Sequence, residues 1–202
     1  MFFPLSHRYL HNSNGVDVNP TGAWEDGWTG EGVKIAIVDD GVLLTHPDLL
    51  LHSSLELSHD FYDEDANPEP HSVDSHGTAM AGYIAANAND IDIRGVAYES
   101  TTAGIRFISP TESDYEAEEF DQVLSRASKH KMSEIDIYCH TWAPEEGFDM
   151  FTYMGDQTES SFSKVIQNGR GGKGSIIVFA AGHGMYSIVS RTQSHSRALT
   201  LK

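Results

Sequence analysis

Cysteine is nearly absent: Cys139 stands alone among 202 residues. No intrachain disulfide can brace the fold, and cysteine usage assigns no redox compartment. Long apolar runs are missing as well. None reaches the roughly 20 residues that a membrane-crossing helix needs, and no charged, apolar, small-residue succession opens the chain as a secretory leader would. Basic residues are scarce, 13 Lys and Arg against 30 Asp and Glu, for a formal net charge of −17. That balance argues against nucleic acid or an anionic membrane surface as a partner and favours basic ligands and cations. Acidity that serves solubility alone fits the same count. What is present is ordinary: 39% apolar residues, enough for one sizeable core and, by default, one domain.

The stretch that organises the chain is Ile35-Ala36-Ile37-Val38-Asp39-Asp40-Gly41. Four consecutive aliphatic residues read as a strand buried on both faces, the kind found in parallel sheets covered by helices. Ligand and catalytic groups in such sheets lie just beyond the carboxyl ends of the strands, where Asp39 and Asp40 fall. A polar turn closing the strand would use the same residues. The second stretch, Ser75-His76-Gly77-Thr78-Ala79-Met80-Ala81-Gly82, places a histidine at the mouth of a helix of small residues.

Residues 1–32 are rich in Asn, Gly and Trp without periodicity, which suits an irregular arm packing aromatic side chains on the domain surface. Small residues from Thr78 to Asn87 predict a buried helix lying close to the sheet. Ala103–Ile108 reads as a second core strand. Asp114–His130 reads as an amphipathic helix with Ala117, Phe120, Val123, Leu124 and Ala127 on one face and Ser113 as its cap. Ile135–Cys139, Phe162–Gln167 and Ser175–Ala181 follow as strand, helix and strand. The alternation predicts an α/β fold. Gly169-Arg170-Gly171-Gly172-Lys173-Gly174 spells a dinucleotide-binding glycine pattern, but it precedes a strand instead of following one, so it reads as a tight surface turn.

Asp39, the His-Gly-Thr at His76 and the intervening Pro47-Asp48-Leu49 resemble the subtilisin-like serine proteases. Residues 24–32, Asp136-Ile137-Tyr138, residues 142–147 and residues 169–175 resemble their kexin and furin branch of proprotein convertases. The resemblance runs in order from about Phe3 to Gly184 and implies a subtilisin-like parallel sheet with helices on both faces, C-terminally truncated. It divides the chain into an irregular arm (1–32), a partial peptidase domain (33–184) and a divergent tail (185–202). It also implies calcium-dependent endopeptidase action at paired basic residues in precursor polypeptides, in the secretory pathway, with an inhibitory propeptide in a full-length product.

By motif match Asp39 is the orienting carboxylate and His76 the general acid/base. The family's Gly-Thr-Ser nucleophile is missing: the one Gly-Thr is Gly77-Thr78, and Ser187, Ser190, Ser194 and Ser196 have no such setting. His183 occupies the position of the oxyanion-hole amide. The resemblance assigns substrate binding to Asp40, Ala143, Pro144, Glu145 and Glu146. It assigns calcium to Asp48 with the segment Asn87, Asp90 and Asp92, and to a second set, Asp60, Asp65 and Asn67, whose oxygens suit calcium. The expectation is a chain inactive by itself. Two alternatives stay open: a non-catalytic pseudoprotease that binds calcium or basic peptides, and a metal cluster of His46, His52, His59, His71 and His76, whose spacing matches no common zinc site.

Overall fold

The structure, a computed structural model, describes residues 8–89, 91, 93–109, 115–143 and 155–181. Five strands, β1 (Lys34–Asp39), β2 (His59–Asp60), β3 (Thr101–Arg106), β4 (Ile137–His140) and β5 (Ile176–Phe179), form one sheet in the order β2-β3-β1-β4-β5. Every pairing between them is parallel. The helices are α1 (Thr21–Glu25), α2 (His76–Ala85), α3 (Ala117–Ala127) and α4 (Asp156–Gly172), with a 3-10 turn at Leu50–His52.

Strand periodicity divides β1 between two cores. Ile35 and Ile37 join Val42, Leu44, Leu49 and Ala81 of α2 on one face. Ala36 and Val38 join Ala103, Ile105, Tyr138, Leu124 of α3 and Val165 of α4 on the other. Helices therefore cover both faces, as expected for a doubly wound α/β sheet. Burying each such aliphatic side chain contributes roughly 1.5–3 kcal/mol, so the centre of the sheet is also its most firmly held part. Because β3 and β4 flank β1 on opposite sides, chain segments diverge at its carboxyl end, which opens a crevice there.

The expected elements are present with shifted ends. The second, third and fourth core strands begin and end one or two residues away from the expected bounds, and the helix expected at 162–167 runs from Asp156 to Gly172. Gly169, Arg170 and Gly171 within that last span have non-helical backbone, so the glycine run is a turn and not the start of a phosphate-binding helix. Two residues of β2 went unanticipated, because a strand this short carries no periodic signal. The arm contains the five-residue α1, where Trp24 packs edge-on against Tyr98 at 5.4 Å and donates its indole N–H to the Val96 carbonyl at 2.8 Å. The buried side of α2 is Gly77, Ala81, Gly82 and Ala85, whereas Tyr83 is exposed. The helix is thus buried along a stripe, not all round.

Candidate active site

Asp39 ends β1 and is 1% exposed. His76 opens α2, with about half of its side chain open to solvent. The segments meet because Gly77 lacks a side chain: a Cβ there would lie 2.3 Å from the Gly41 carbonyl oxygen and 3.0 Å from the Asp39 Cβ. Gly41 itself needs a φ of +115°, and a Cβ on it would strike the Pro68 carbonyl at 2.8 Å. The resulting geometry puts His76 Nδ1 2.9 Å from Asp39 Oδ2. The Asp40 N–H donates to Asp39 Oδ1 at 2.7 Å, and the Thr141 hydroxyl donates to Asp39 Oδ2. Three donors converging on one buried carboxylate fix the plane in which it meets the imidazole.

Asp40 is equally buried. Its Oδ2 accepts the His76 N–H at 3.0 Å and its Oδ1 the Gly77 N–H at 2.6 Å. Burial raises its carboxyl above the ordinary range, the Gly77 N–H opposes that, and the neighbouring Asp39 charge adds to it. Both oxygens of Asp40, the residue expected to face a basic substrate side chain, accept backbone N–H groups as the protein is folded. Thr78 completes the motif by accepting the Leu43 N–H on its hydroxyl at 3.0 Å, tying α2 to the loop after β1.

Thr141 was missed in the sequence, although its place was legible: it follows β4 directly, at the same carboxyl edge of the sheet as Asp39. Beside it, His140 is fully buried, its ring stacked on Phe179 at 4.3 Å, and burial alone pushes its imidazole down to about 3. Burial likewise pushes the Cys139 thiol up to about 11, so it is a packing group and not a nucleophile at neutral pH. Ala143 is half-buried just beyond Trp142. Pro144, Glu145, Glu146, Asp90, Asp92, His183 and the expected cap Ser113 lie outside the described residues.

The two expected calcium sets differ. At the first, Asp48 and Asn87 are both 2% exposed, and the Asn87 N–H donates to the Asp48 carbonyl at 2.6 Å. Asp48 Oδ1 and Asn87 Oδ1 are buried without a hydrogen-bond partner. Two orphaned oxygens on touching segments are what a hard cation would satisfy, so these residues fit calcium. The second set does not fit as folded. Asp60 Oδ2 is held by Arg106 Nη1 at 2.7 Å, Asp60 Oδ1 accepts the Tyr62 and Asp63 N–H groups at 2.7 and 2.9 Å, and Asp65 Oδ1 accepts the Asn67 N–H at 2.7 Å. A guanidinium already supplies the positive charge.

The histidine cluster is also overturned. Among the described residues no group of three or more His, Cys, Asp or Glu could hold a metal ion. His76 pairs with Asp39, His71 with Asp63 at 3.1 Å, and His59 stacks on His130 at 5.3 Å.

Residues 30–200 match the family model described as the subtilase family, Peptidase_S8. The chain belongs to the subtilase family. It is 39% identical over 176 residues to neuroendocrine convertase 2 of Homo sapiens, covering 84% of this chain and 26% of that protein. It is 38% identical to the dibasic-processing endoprotease of Yarrowia lipolytica (87% and 18% covered) and 35% identical to furin-1 of Xenopus laevis (89% and 23% covered). These relatives assign it to the kexin and furin branch. Among solved structures, the serine protease of Aeromonas sobria superposes with a TM-score of 0.62 at 23% identity, covering 82% of this chain and 27% of that one, which shows the fold. The chain spans about a quarter of the length of the curated relatives it matches.

Proposed function

We propose that this chain carries the acid/base half of a convertase-type serine endopeptidase that acts on precursor polypeptides at paired basic residues. The observation that carries the reading is the 2.9 Å contact between His76 Nδ1 and the buried Asp39. With Nδ1–H donated to Asp39, Nε2 is the lone pair left to take a proton from a hydroxyl and later return it to a leaving amine. The Thr141 hydroxyl and the Asp40 N–H keep the carboxylate from rotating away as the imidazole charges. No Gly-Thr-Ser is present in the 202 residues, so by themselves they form no acyl-enzyme.

The substrate class rests on the relatives' branch and on the net charge of −17, with Asp40, Ala143, Pro144, Glu145 and Glu146 as the proposed contacts. Calcium, when bound at Asp48 and Asn87, would supply structural charge that fixes the loop before α2's return to the sheet. The same orphaned oxygens support the second reading, a cation-binding pseudoprotease, because they need no nucleophile. Secretory location and an inhibitory propeptide are proposed for the full product from the same branch. No helix among the described residues is long and apolar enough to cross a membrane.

Calorimetry with an Arg-X-Lys-Arg peptide and its all-Ala counterpart, in calcium, tests the substrate class; a fluorogenic version of the same peptide tests the chemistry. Selective binding of the basic peptide without hydrolysis is expected. Equal binding of both peptides refutes the substrate class. Hydrolysis abolished by His76→Ala refutes the half-machinery reading.

A further inference from the structure

We propose that the N-terminal arm is a strap that sets the cation affinity of the site at Asp48 and Asn87, because arm and site grip the same short loop. The inference rests on the cation reading of those two residues. Within the site, the Asn87 N–H donates to the Asp48 carbonyl at 2.6 Å, the Ile93 N–H to Asp48 Oδ2 at 3.2 Å, and the Asn89 side-chain amide to the Pro47 carbonyl at 3.1 Å. The loop then returns to α2, where the Gly95 N–H meets the Ala86 carbonyl at 2.8 Å and the Val96 N–H meets the Tyr83 carbonyl at 3.1 Å. A Cβ on Gly95 would strike the backbone of Ala85 and Ala86, so this return is a close fit. The arm takes hold one residue after Ile93. Tyr9 donates its hydroxyl to the Arg94 carbonyl, and Trp24 donates its indole N–H to the Val96 carbonyl at 2.8 Å. The Arg94 guanidinium lies 5.8 Å from the ring centroid of Trp24 and 5.3 Å from that of Tyr98. Tyr9 also meets Tyr83 of α2 edge-on at 4.9 Å, and Leu10 beside it is fully buried.

The two grips are coupled in energy as well as in position. Asp48 Oδ1 and Asn87 Oδ1 are buried without hydrogen-bond partners, and burying unsatisfied oxygens opposes closure of the loop. A hard cation removes that penalty by taking both oxygens. The arm works in the same direction. Two hydrogen bonds and a guanidinium laid over two rings hold residues 94–98 in the conformation in which Asp48 and Asn87 meet. Two events that favour one conformation strengthen each other, and by the same factor in both directions. Couplings of this kind are about 5–150-fold. An undocked arm therefore leaves the site complete in residues and weak in affinity.

The purified chain is titrated with calcium alone by calorimetry, and exchange of the Trp24 indole N–H, one of three in the chain, is followed by NMR with and without the ion. W24F keeps a ring and loses the N–H; Y9F loses only the hydroxyl. Each is expected to weaken calcium binding by at least about fivefold, and W24A by more than about tenfold, with the Val38 and Ile105 amides as well protected as in wild type. In wild type, calcium should slow exchange of the Trp24 indole N–H by at least about fivefold, and D48A should abolish both the binding and the slowing. Unaltered affinity in W24F and Y9F, or indole exchange indifferent to calcium, overturns the strap and leaves the cation reading standing. No calcium binding in wild type, or binding that survives D48A, sinks the cation reading and the strap with it. If W24A does not fold, the two conservative variants carry the test; loss of Val38 and Ile105 protection in them makes the arm a general folding element and overturns the proposal equally.

Discussion

Replacing Arg106 by Met removes a cation that is wholly buried at the end of β3, where its Nη1 meets Asp60 at 2.7 Å and Asp63 at 2.6 Å. The two arms are unequal. Asp63 has a 46% exposed side chain, so its share is that of a surface pair, about 0–1 kcal/mol. Asp60 is 2% exposed, and stranding a buried carboxylate costs about 3–5 kcal/mol. The face of Tyr62, 4.7 Å from the guanidinium, adds a smaller cation–π loss. Against these stands a gain: Arg106 Nε and Nη2 are buried without partners, and Met removes that penalty of about 1–3 kcal/mol. The net expectation is a loss of about 3 kcal/mol, which for a chain of this size lowers Tm by about 6–12 °C.

Circular-dichroism melts of R106M, D60N and R106M/D60N at neutral pH provide the cycle. The double variant should recover at least half of the single variant's loss, because no buried charge remains unpaired. Acid supplies a second check. The hydrogen bond from Arg106 holds the Asp63 carboxyl below its ordinary 3.8, ahead of a smaller burial effect in the opposite direction. A carboxyl depressed on folding stabilises above its unfolded pKa and loses that contribution as pH falls through its folded one. The gap between wild type and R106M should therefore narrow below about pH 4. An R106M melt within about 2 °C of wild type refutes the account, and no recovery in the double variant refutes the assignment of the loss to Asp60.

Gly77→Ala forces a Cβ to within 2.3 Å of a backbone carbonyl and should cost at least about 1–3 kcal/mol, read as a lower Tm together with loss of the His76 Nδ1–H resonance; an unaltered resonance counts against the close-approach argument. Calcium should raise Tm in wild type and in D65A but not in D48A or N87A, a shift equivalent to about 2.7 kcal/mol at a hundredfold excess over Kd; the reverse pattern would move the site to the Asp60 loop. Burial holds His140 down at about 3, and burial followed by the His59 charge holds His130 down at about 4. Histidines depressed on folding stabilise fully above about pH 6.5 and lose that contribution as pH falls toward their folded values. His140→Phe should flatten the acid side of a Tm-against-pH curve and raise Tm, since both ring nitrogens of His140 lack partners; a lower Tm at every pH would show that the imidazole packs better than a phenyl ring.

Apart from α1 and β2, the order of elements was determined by local sequence, as were the two-faced burial of β1 and the places of Asp39 and His76. An apolar run ending at Asp39-Asp40-Gly41 and a His-Gly-Thr opening a small-residue helix each declare themselves within a few residues. Periodicity and motif spacing carry that much because they depend on neighbours in the chain. What only the tertiary structure decided depends on neighbours in space. Thr141 reaches Asp39 across 102 positions and Arg106 reaches Asp60 across 46. The first completes the carboxylate's shell; the second takes an expected calcium ligand and spends it on a buried ion pair. Asp48 and Asn87 kept the oxygens that Asp60 lost because no guanidinium was folded against them. Asp40 shows the difference most clearly: in sequence it is a second carboxylate beside Asp39, and in space it takes the His76 and Gly77 N–H groups because Gly77 lets the helix end come down on it.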